Sequence, residues 1–291
     1  MKKVVRMLGL CALVALAFTS CKKKDTNSVT FTASMCQPTT DVRTHGEMST
    51  DGFNNSYFLV WDNKDQIKVV NPTATAAESF TVENGEGTKD ATFVVSGDKA
   101  DFIAELETAT YTAFYPAANF DDAAQTVTLK IKDELELMLG RTFGDESYPM
   151  YGTNTGTNFE FTSDAGFLTF TFGAELNKPV SFNKVVLTAK GGTKLAGDIV
   201  YTYDGSGGYT YTFNGTSPTI TLERTEPVTA SFGQAAIVNF ILPKGVIPNG
   251  FDVTLYNNGA YVQTFECTAS NTIVEKKFTN MPEVTLQQPQ P

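Results

Sequence analysis

The residues best suited to chemistry in this chain stand together in one stretch, LVWDNKDQIKVV at residues 59–70. It holds the only tryptophan, Trp61, with Asp62 and Asp65 close beside it. An indole ring can stack on a sugar, and glycoside hydrolysis needs two carboxylates about 5–10 Å apart. The stretch is therefore either a sugar-processing site or part of a hydrophobic core that is polar at one turn.

The pattern around Trp61 favours the core. Ile67 and Val69 alternate with a lysine, which is typical of a strand with one buried face. We predict that Trp61 fills an N-terminal domain at the end of a central strand, 56–61, and that residues 62–65 turn into the next strand. The chain's other paired acids are adjacent in sequence and point to opposite faces of a strand, so they do not form a catalytic pair.

Few residues are available for metal or nucleophilic chemistry. The single histidine, His45, lies in a polar segment, which argues against most zinc sites and against histidine-based triads. The glycine-rich run 205–208 lies between two predicted strands, so it is a turn and not a phosphate-binding loop. We predict no catalytic residue, no metal ligand, no cofactor, and a protein that is not an enzyme.

A second constellation is aromatic. The run from 201 to 213 repeats aromatic side chains at every second position around its central turn. Such a row is either a platform on which glycans stack or a strand face packed into the core, and a chain with one tryptophan favours packing. A glycan-binding surface stays open as the alternative function. The aromatic residues are Tyr201, Tyr203, Tyr209, Tyr211 and Phe213.

The charge balance excludes one class of partner. Asp and Glu total 32 against 22 Lys and Arg, which gives a net charge of −10. An acidic surface of this size repels phosphate backbones, so we expect no nucleic-acid partner.

The N-terminus is patterned for export. Residues 1–20 combine a basic start with an apolar run too short to cross a bilayer, as in a signal peptide. The end of that run, Phe18-Thr19-Ser20-Cys21, resembles the lipobox of bacterial lipoproteins, in which the cysteine is acylated. Cys21 is the predicted lipidation site and 21–28 a polar tether; ordinary cleavage that leaves Cys21 free is the alternative.

Two cysteines remain for the folded part of the chain, Cys36 and Cys267. Export permits a disulfide between them. They lie near opposite ends of the chain, in different predicted domains, so two independent thiols are the favoured interpretation.

Most of the chain alternates short apolar runs with turn residues, which predicts an all-β fold. The spacing fits two tandem β-sandwich domains, 29–155 and 156–291, with a possible donor strand at the C-terminal end. Hairpins are predicted at 198–213 and 252–266. We also predict a helical turn in DELELMLG, 133–140, and a central strand in AAIVNFILP, 235–243.

Ordered landmarks along nearly the whole chain resemble the fimbrillin family of Gram-negative anaerobes. Besides Cys21, they include Arg43-Thr44, an aromatic-Tyr-Pro element and a Pro-Met-Tyr-Gly run before the second domain. The landmarks are Cys21, Arg43-Thr44, Val60-Trp61-Asp62 with Asp65-Gln66-Ile67, Gly87-Thr88 with Ala91-Thr92-Phe93, Tyr111–Ala117, Pro149–Gly152, Leu195-Ala196-Gly197 and Ile241-Leu242-Pro243.

The resemblance implies transthyretin-like sandwiches in a lipid-anchored surface protein of the outer membrane, either a fimbrial subunit or an anchor or accessory protein. It implies cleavage near Arg43 by an arginine-specific protease, removal of an N-terminal strand, and filling of the groove by a neighbour's strand. The run VTFTA, 29–33, is the candidate removable strand. Expected partners are other fimbrial subunits, joined by strand addition, and a surface ligand for adhesion.

Overall fold

The computed structural model describes residues 30–35, 39–40, 59–95, 102, 108–139 and 147–288. In these ranges the chain is strands and turns, with one 3₁₀ turn at Lys190–Gly192 and no α-helix. The all-β prediction is therefore confirmed. None of the described segments forms a helix that is long and apolar enough to cross a membrane.

The described residues contain 23 strands. The first twelve are β1 (Thr30–Ser34), β2 (Thr39–Thr40), β3 (Gln66–Val70), β4 (Ala77–Asn84), β5 (Asp90–Val94), β6 (Thr110–Tyr115), β7 (Asn119–Asp121), β8 (Thr126–Ile131), β9 (Glu134–Glu136), β10 (Met150–Thr155), β11 (Asn158–Glu160) and β12 (Ala165–Ala174). The others are β13 (Val180–Ala189), β14 (Ala196–Tyr203), β15 (Tyr209–Ser217), β16 (Thr219–Ala230), β17 (Ala236–Pro243), β18 (Gly245–Ile247), β19 (Phe251–Asn257), β20 (Ala260–Cys267), β21 (Asn271–Ile273), β22 (Lys277–Asn280) and β23 (Val284–Leu286).

These strands form four larger sheets and one two-stranded sheet, β18-β21. The largest sheet has the order β10-β6-β3-β4-β5-β1-β11. The others run β17-β12-β22-β2, with β23 also on β12, then β20-β19-β13-β16-β9, and β15-β14-β8-β7. Most pairs are antiparallel, as short turns allow; the parallel pairs join strands far apart in sequence.

Strand pairing crosses residue 155 in several places. β1 and β2 pair with β11 and β22, and β8 and β9 pair with β14 and β16. The division into domains 29–155 and 156–291 stays a prediction. Elements from both sides of it share the same sheets.

The core follows from the alternation along each strand. β8 buries Val127, Leu129 and Ile131 and turns its threonines and lysine outward. β12 is buried along nearly its whole length because other strands flank it and sheets cover both faces. Burial of these apolar side chains is the main stabilising contribution to the fold.

Three local predictions are wrong. Leu59 to Trp61 is not a regular strand, although the backbone of Trp61 pairs with the 85–88 turn, and residues 56–58 lie outside the described part. The predicted helical turn contains β9, because Leu135 faces the core in parallel pairing with β16. The run 235–243 forms β17 at a sheet edge and not at its centre; its apolar composition reflects burial by other layers. Both predicted hairpins are confirmed as β14–β15 and β19–β20.

Two phenylalanines in the C-terminal half provide a matched test of the core. Phe278 is 2% exposed and stacks on Phe167 with ring centroids 4.4 Å apart, whereas Phe232 is 66% exposed. Phe278→Ala should lower the free energy of unfolding by about 3–5 kcal/mol, because it leaves a cavity. Phe232→Ala should change it by less than about 0.5 kcal/mol. Chemical denaturation measures both, and equal effects would contradict this packing.

Candidate functional site

Strand β1 lies in the interior of the largest sheet, with a partner on each side. It runs antiparallel to β5, from Thr30↔Val94 to Ser34↔Asp90. On its other side it runs parallel to β11, from Thr32↔Asn158 to Ser34↔Glu160. Its removal would therefore leave a groove bounded by two unpaired strand edges.

The inner face of β1 fills the bottom of this groove. Phe31 and Ala33 are fully buried and Met35 nearly so. The ring of Phe31 meets Phe80 edge-on at 4.8 Å and Phe159 at 5.2 Å between centroids. Burial of a phenylalanine side chain contributes about 1.5–3 kcal/mol, so β1 is held by packing as well as by its ladder.

Trp61 fastens β1 to the rest of the sheet. Its indole Nε1–H lies 3.2 Å from the carbonyl oxygen of Ala33 in β1 and 3.0 Å from that of Lys89. Its own backbone N–H donates to Thr88 at 2.9 Å, and its carbonyl accepts from Gly87 at 2.8 Å. A single residue thus links β1, the 85–89 turn and the core; we call this arrangement the Trp61 clasp.

The ring of Trp61 is 1% exposed and is surrounded by other aromatic rings. Phe93, Tyr115 and Phe161 meet it edge-on, at 4.9, 5.1 and 5.6 Å between centroids. Edge-to-face pairs of this kind are favourable beyond their buried area. The prediction that Trp61 belongs to the core is confirmed, so its ring offers no stacking surface to a sugar.

The acids beside Trp61 serve the turn. Asp65 is 5% exposed and accepts hydrogen bonds from the Tyr115 hydroxyl at 2.8 Å and from the backbone N–H of Asp62 at 2.7 Å. The Asp62 carboxylate accepts from the backbone N–H of Lys64 at 3.0 Å. The predicted polar turn is confirmed, and hydrogen bonds within the protein occupy its carboxylates.

The outer face of β1 is polar and borders a shallow cavity of about 380 Å³. The Ser34 hydroxyl donates to Asp90 at 2.6 Å, and the Thr32 hydroxyl donates to Asn158 at 3.0 Å. The Ser34 hydrogen bond, together with Lys89, holds the pKa of Asp90 below its ordinary value. Side chains from β1, β5 and β11 thus tie the strand on its solvent side.

The next N-terminal strand reaches a different sheet. The backbone of β2 pairs in parallel with β22, Thr39↔Lys277 and Thr40↔Phe278, at the edge of the sheet that contains β12. The short segment 30–40 therefore contributes strands to two sheets. Both strands precede Arg43 in the sequence.

The C-terminal strands are docked on their own chain. β22 and β23 both run parallel to β12, with Phe167↔Phe278 and Phe172↔Val284 in register. Phe278 and Leu286 are buried. The predicted donor segment thus occupies a groove along β12 within the same molecule.

The tyrosine row packs inward, as the favoured interpretation predicts. Tyr201 is 1% exposed and its hydroxyl donates to Asp164 at 3.0 Å. Tyr203, Tyr209 and Tyr211 are half-buried, and the exposed positions of β15 are threonines and an asparagine instead. Burial raises the pKa of the Tyr211 hydroxyl to about 12. The rings do not form an open glycan platform.

The two predicted site residues, Cys21 and Arg43, lie outside the described residues, as do Cys36 and His45. Within the described part, Cys267 forms no disulfide and no cluster of acids, histidines or cysteines is suited to a metal ion. Sequence reasoning missed β2, because two residues are too short to show a period. Its one signal is the pair of threonines, a residue type that is favoured in strands.

Comparison with known proteins places the fold. The architecture is similar to that of a "putative cell adhesion protein" from Bacteroides ovatus, with TM-score 0.50 and 16% identity over 77% of this chain and 83% of that one. Another "putative cell adhesion protein", from Bacteroides uniformis, gives TM-score 0.48 and 15% identity over 78% and 88% of the two chains. A fimbrial protein from Bacteroides ovatus gives TM-score 0.34 and 11% identity over 79% and 47%. At these identities the likeness is one of fold.

No protein-family model matches the chain, and no curated protein matches it. The resemblance inferred from the sequence landmarks agrees with the fold comparison.

The Trp61 clasp can be tested by mutation. Trp61→Ala should cost about 3–5 kcal/mol of unfolding free energy, because it opens a large cavity. Trp61→Phe should cost less, about 1–3 kcal/mol, because it leaves carbonyl groups of β1 and the turn without the indole donor. In both variants, hydrogen exchange should speed up first at the amides of β1. Val60→Ala, at a side chain that is 48% exposed, is the control; a Trp61→Ala protein as stable as this control would place the indole outside the core.

The Ser34–Asp90 contact predicts a pH effect on β1. Because the pKa of Asp90 is lowered in the folded protein, this contact stabilises above the ordinary aspartate pKa of 3.8 and is lost as pH falls below it. Ser34→Ala should raise the pKa of Asp90 in an NMR titration. The pKa of Asp204, lowered by the Ser206 and Gly208 amides, should stay unchanged. No rise at Asp90 would show that Ser34 does not donate to it.

Proposed function

We propose that this chain is a fimbrillin-like surface lipoprotein of the outer membrane that assembles by strand exchange and serves in adhesion, either as a fimbrial subunit or as an accessory or anchor protein. The observation that carries the proposal is the position of β1. It is the first strand of the described residues, yet it lies in the interior of the largest sheet, between β5 and β11. An interior strand near a chain end can be removed by a single cut and replaced by an extended segment of another molecule.

Arg43 stands where such a cut would act. It follows β2 by three residues and precedes the Trp61 clasp. Cleavage there would separate the segment that holds β1 and β2 from the rest of the chain. The described contacts of that segment with the rest of the chain are its ladders, the Trp61 hydrogen bonds, the Thr32 and Ser34 side-chain hydrogen bonds and the packing of its apolar side chains, and all of these are non-covalent.

The emptied groove would suit a strand of alternating character. Its edges would offer the ladder groups of β5 and β11, and its floor would offer the rings of Phe80 and Phe159. An incoming segment would need apolar side chains at every second position, as β1 has at 31, 33 and 35. Main-chain hydrogen bonds would provide affinity, and the apolar floor would select the register.

The C-terminal segment is the candidate donor. Val284 and Leu286 alternate in β23, and only three residues of β23 pair with β12. Its detachment would expose Leu286, which is fully buried, and that cost favours the docked state until another groove is open. A protein whose β23 stays docked would serve as an accessory or anchor subunit instead of a shaft subunit.

Cys21 is the proposed attachment to the membrane. Acyl chains on this cysteine would hold the molecule at the surface, with each buried methylene contributing about 0.8 kcal/mol. The polar tether 21–28 would separate the membrane from β1. The fold is similar to that of a protein described as a "putative cell adhesion protein", and this similarity supports the cell surface as the place where the chain acts.

A surface glycan-binding lipoprotein remains the alternative function. Its main support was the tyrosine row, and the packing of those rings against Phe114 and Tyr201 weakens it. Binding on a glycan array that is lost in Tyr→Ala variants of the row would revive it.

Limited proteolysis tests the proposal. An arginine-specific protease should cut the exported protein at Arg43, release the N-terminal fragment and produce polymers visible by electron microscopy. An excess of a synthetic peptide with the β1 sequence should cap the groove and stop growth.

Two arginine variants control this experiment. Arg43→Ala should resist the cut and stay unassembled, whereas Arg141→Ala should behave like the unmodified protein. Complete cleavage at Arg43 that gives neither polymers nor binding to another subunit would rule out assembly by strand exchange.

A further inference from the structure

The four-stranded sheet ends in a long strand that lacks a second neighbour. Strand β15 spans nine residues, Tyr209–Ser217, and among the described strands it pairs with β14 alone. An antiparallel strand with one neighbour leaves the N–H and C=O groups of alternate residues unpaired along its outer side. About 30 Å of ladder is therefore free to pair.

From Tyr209 to Gly215 this edge lacks the protections that edge strands normally carry, since its one register shift lies at the C-terminal end, between Gly215 and Ser217. Its sequence, YTYTFNGTS, has no charged residue and no proline. Charged side chains, prolines and bulges on an edge prevent pairing between molecules. Other edges in the described residues carry charges, namely Asp121 on β7, Glu134 and Glu136 on β9, Glu160 on β11 and Glu266 on β20.

The other uncharged edges of the described sheets differ from β15. Four of them, β2, β18, β21 and β23, have only two or three residues. β10 is shorter, and its residue Tyr151 forms a β-bridge with Thr162 through backbone hydrogen bonds of 2.8 and 2.6 Å. β17 has its side chains almost entirely buried. β15 instead alternates exposed with half-buried positions along its whole length.

All three aromatic residues of β15 lie at half-buried positions. Tyr209 packs edge-on against Phe114 at 5.3 Å, and Tyr211 packs against Tyr201 at 6.1 Å between centroids. The Tyr211 hydroxyl is buried and has no hydrogen-bond partner. An additional strand on this edge would extend the aromatic layer and complete its burial.

We propose that β15 is a self-association edge: it pairs antiparallel with β15 of a second copy around a two-fold axis and joins the two four-stranded sheets into one. This inference goes beyond the proposed function, since it involves neither β1 nor cleavage at Arg43. A two-fold pairing is closed and ends at a dimer.

The chemistry of the strand favours its own copy as the occupant. The alternation of aromatic and threonine residues is the same in both strands, so a two-fold register can place rings beside rings and threonines beside threonines. The chain has a net charge of −10, but β15 brings no like charges together. Pairing of β7, β9, β11 or β20 with its own copy would bring acids together.

Charge complementarity at the strand ends supports the same arrangement. Asp204 lies in the turn before β15, exposed, and accepts hydrogen bonds from the backbone N–H groups of Ser206 and Gly208 at 2.7 and 3.0 Å. Lys194 lies over Gly215 near the other end, where a methyl group on that glycine would meet its Cβ at 2.3 Å. Antiparallel pairing brings the Asp204 end of one copy to the Lys194 end of the other.

Sedimentation velocity of the exported, uncleaved protein tests this inference, with Cys21→Ser to remove any lipid-driven association. The protein should show a concentration-dependent monomer–dimer equilibrium. Thr212→Lys adds a charge at an exposed position of the edge and should weaken dimerisation by about tenfold or more. Its melting temperature should match that of the parent protein, because the side chain points to solvent.

Thr264→Lys is the matched control, since it makes the same change at an exposed threonine of the edge strand β20. It should dimerise like the parent protein. A parent protein that stays monomeric up to its solubility limit would overturn the inference, and so would a Thr212→Lys protein that dimerises as well as the control. Because Arg43 stays intact throughout, the result is independent of whether cleavage drives assembly.

Discussion

The fold of the largest sheet depends on one hydrogen-bond donor, the indole N–H of Trp61. A buried ring of this size would stabilise a core wherever it packed, but its donor requires an acceptor when it is out of water. Here two carbonyl groups share that role, one on β1 and one on the 85–89 turn. Burial of the Trp61 ring is therefore coupled to the docking of β1, because the buried indole N–H needs the Ala33 carbonyl group as an acceptor. The acid at 65 and the tyrosine at 115 hold the other side of this arrangement in place.

This constraint shows how β1 can be integral to the sheet and still be separable under the proposed cleavage. β1 has ladder partners on both sides and buried side chains beneath it, so it is part of the sheet in every energetic respect. Its attachment nonetheless consists of many weak interactions, and a chain break beyond it removes the entropic advantage of the covalent connection. An added segment with the same alternation meets the same set of partners. The position of β1 in the sheet selects for apolar side chains at alternate positions, and a strand from the same chain or from another molecule can provide them.

Much of this architecture could be predicted from the sequence, and the failures have physical causes. The alternation in 125–132 and the turn residues in 198–213 and 252–266 predict strands correctly, because local pattern and local turn chemistry decide those elements. The prediction of a strand at 56–61 failed because residues in a buried aromatic cluster are apolar whether or not their backbone forms a strand. The segment 133–140 misled because pairing with a distant strand, β16, overrides a weak local preference.

The candidate site shows the same limit. The sequence indicates Trp61 as a core residue, and the polar turn after it follows from the acids and the lysine. Nothing in the sequence indicates that Ala33 and Lys89 accept from its indole, since that depends on how distant segments meet. The alternation of Val284 and Leu286 predicts a strand, but periodicity does not show that this strand runs parallel to β12, nor that β11 runs parallel to β1.

The pairing of β2 with β22 has a consequence for how the molecule is made. Residues 39–40 and 277–278 are neighbours in one sheet, so nearly the full length of chain separates two strands that must meet. Contacts between such distant residues form slowly, because the entropic cost of closing the intervening loop comes before the contacts provide any stabilising free energy. Synthesis proceeds from the N-terminus, so the first strands wait for the last ones to be made. The sheet that contains β12 therefore gains its β2 edge only once nearly all of the chain has left the ribosome.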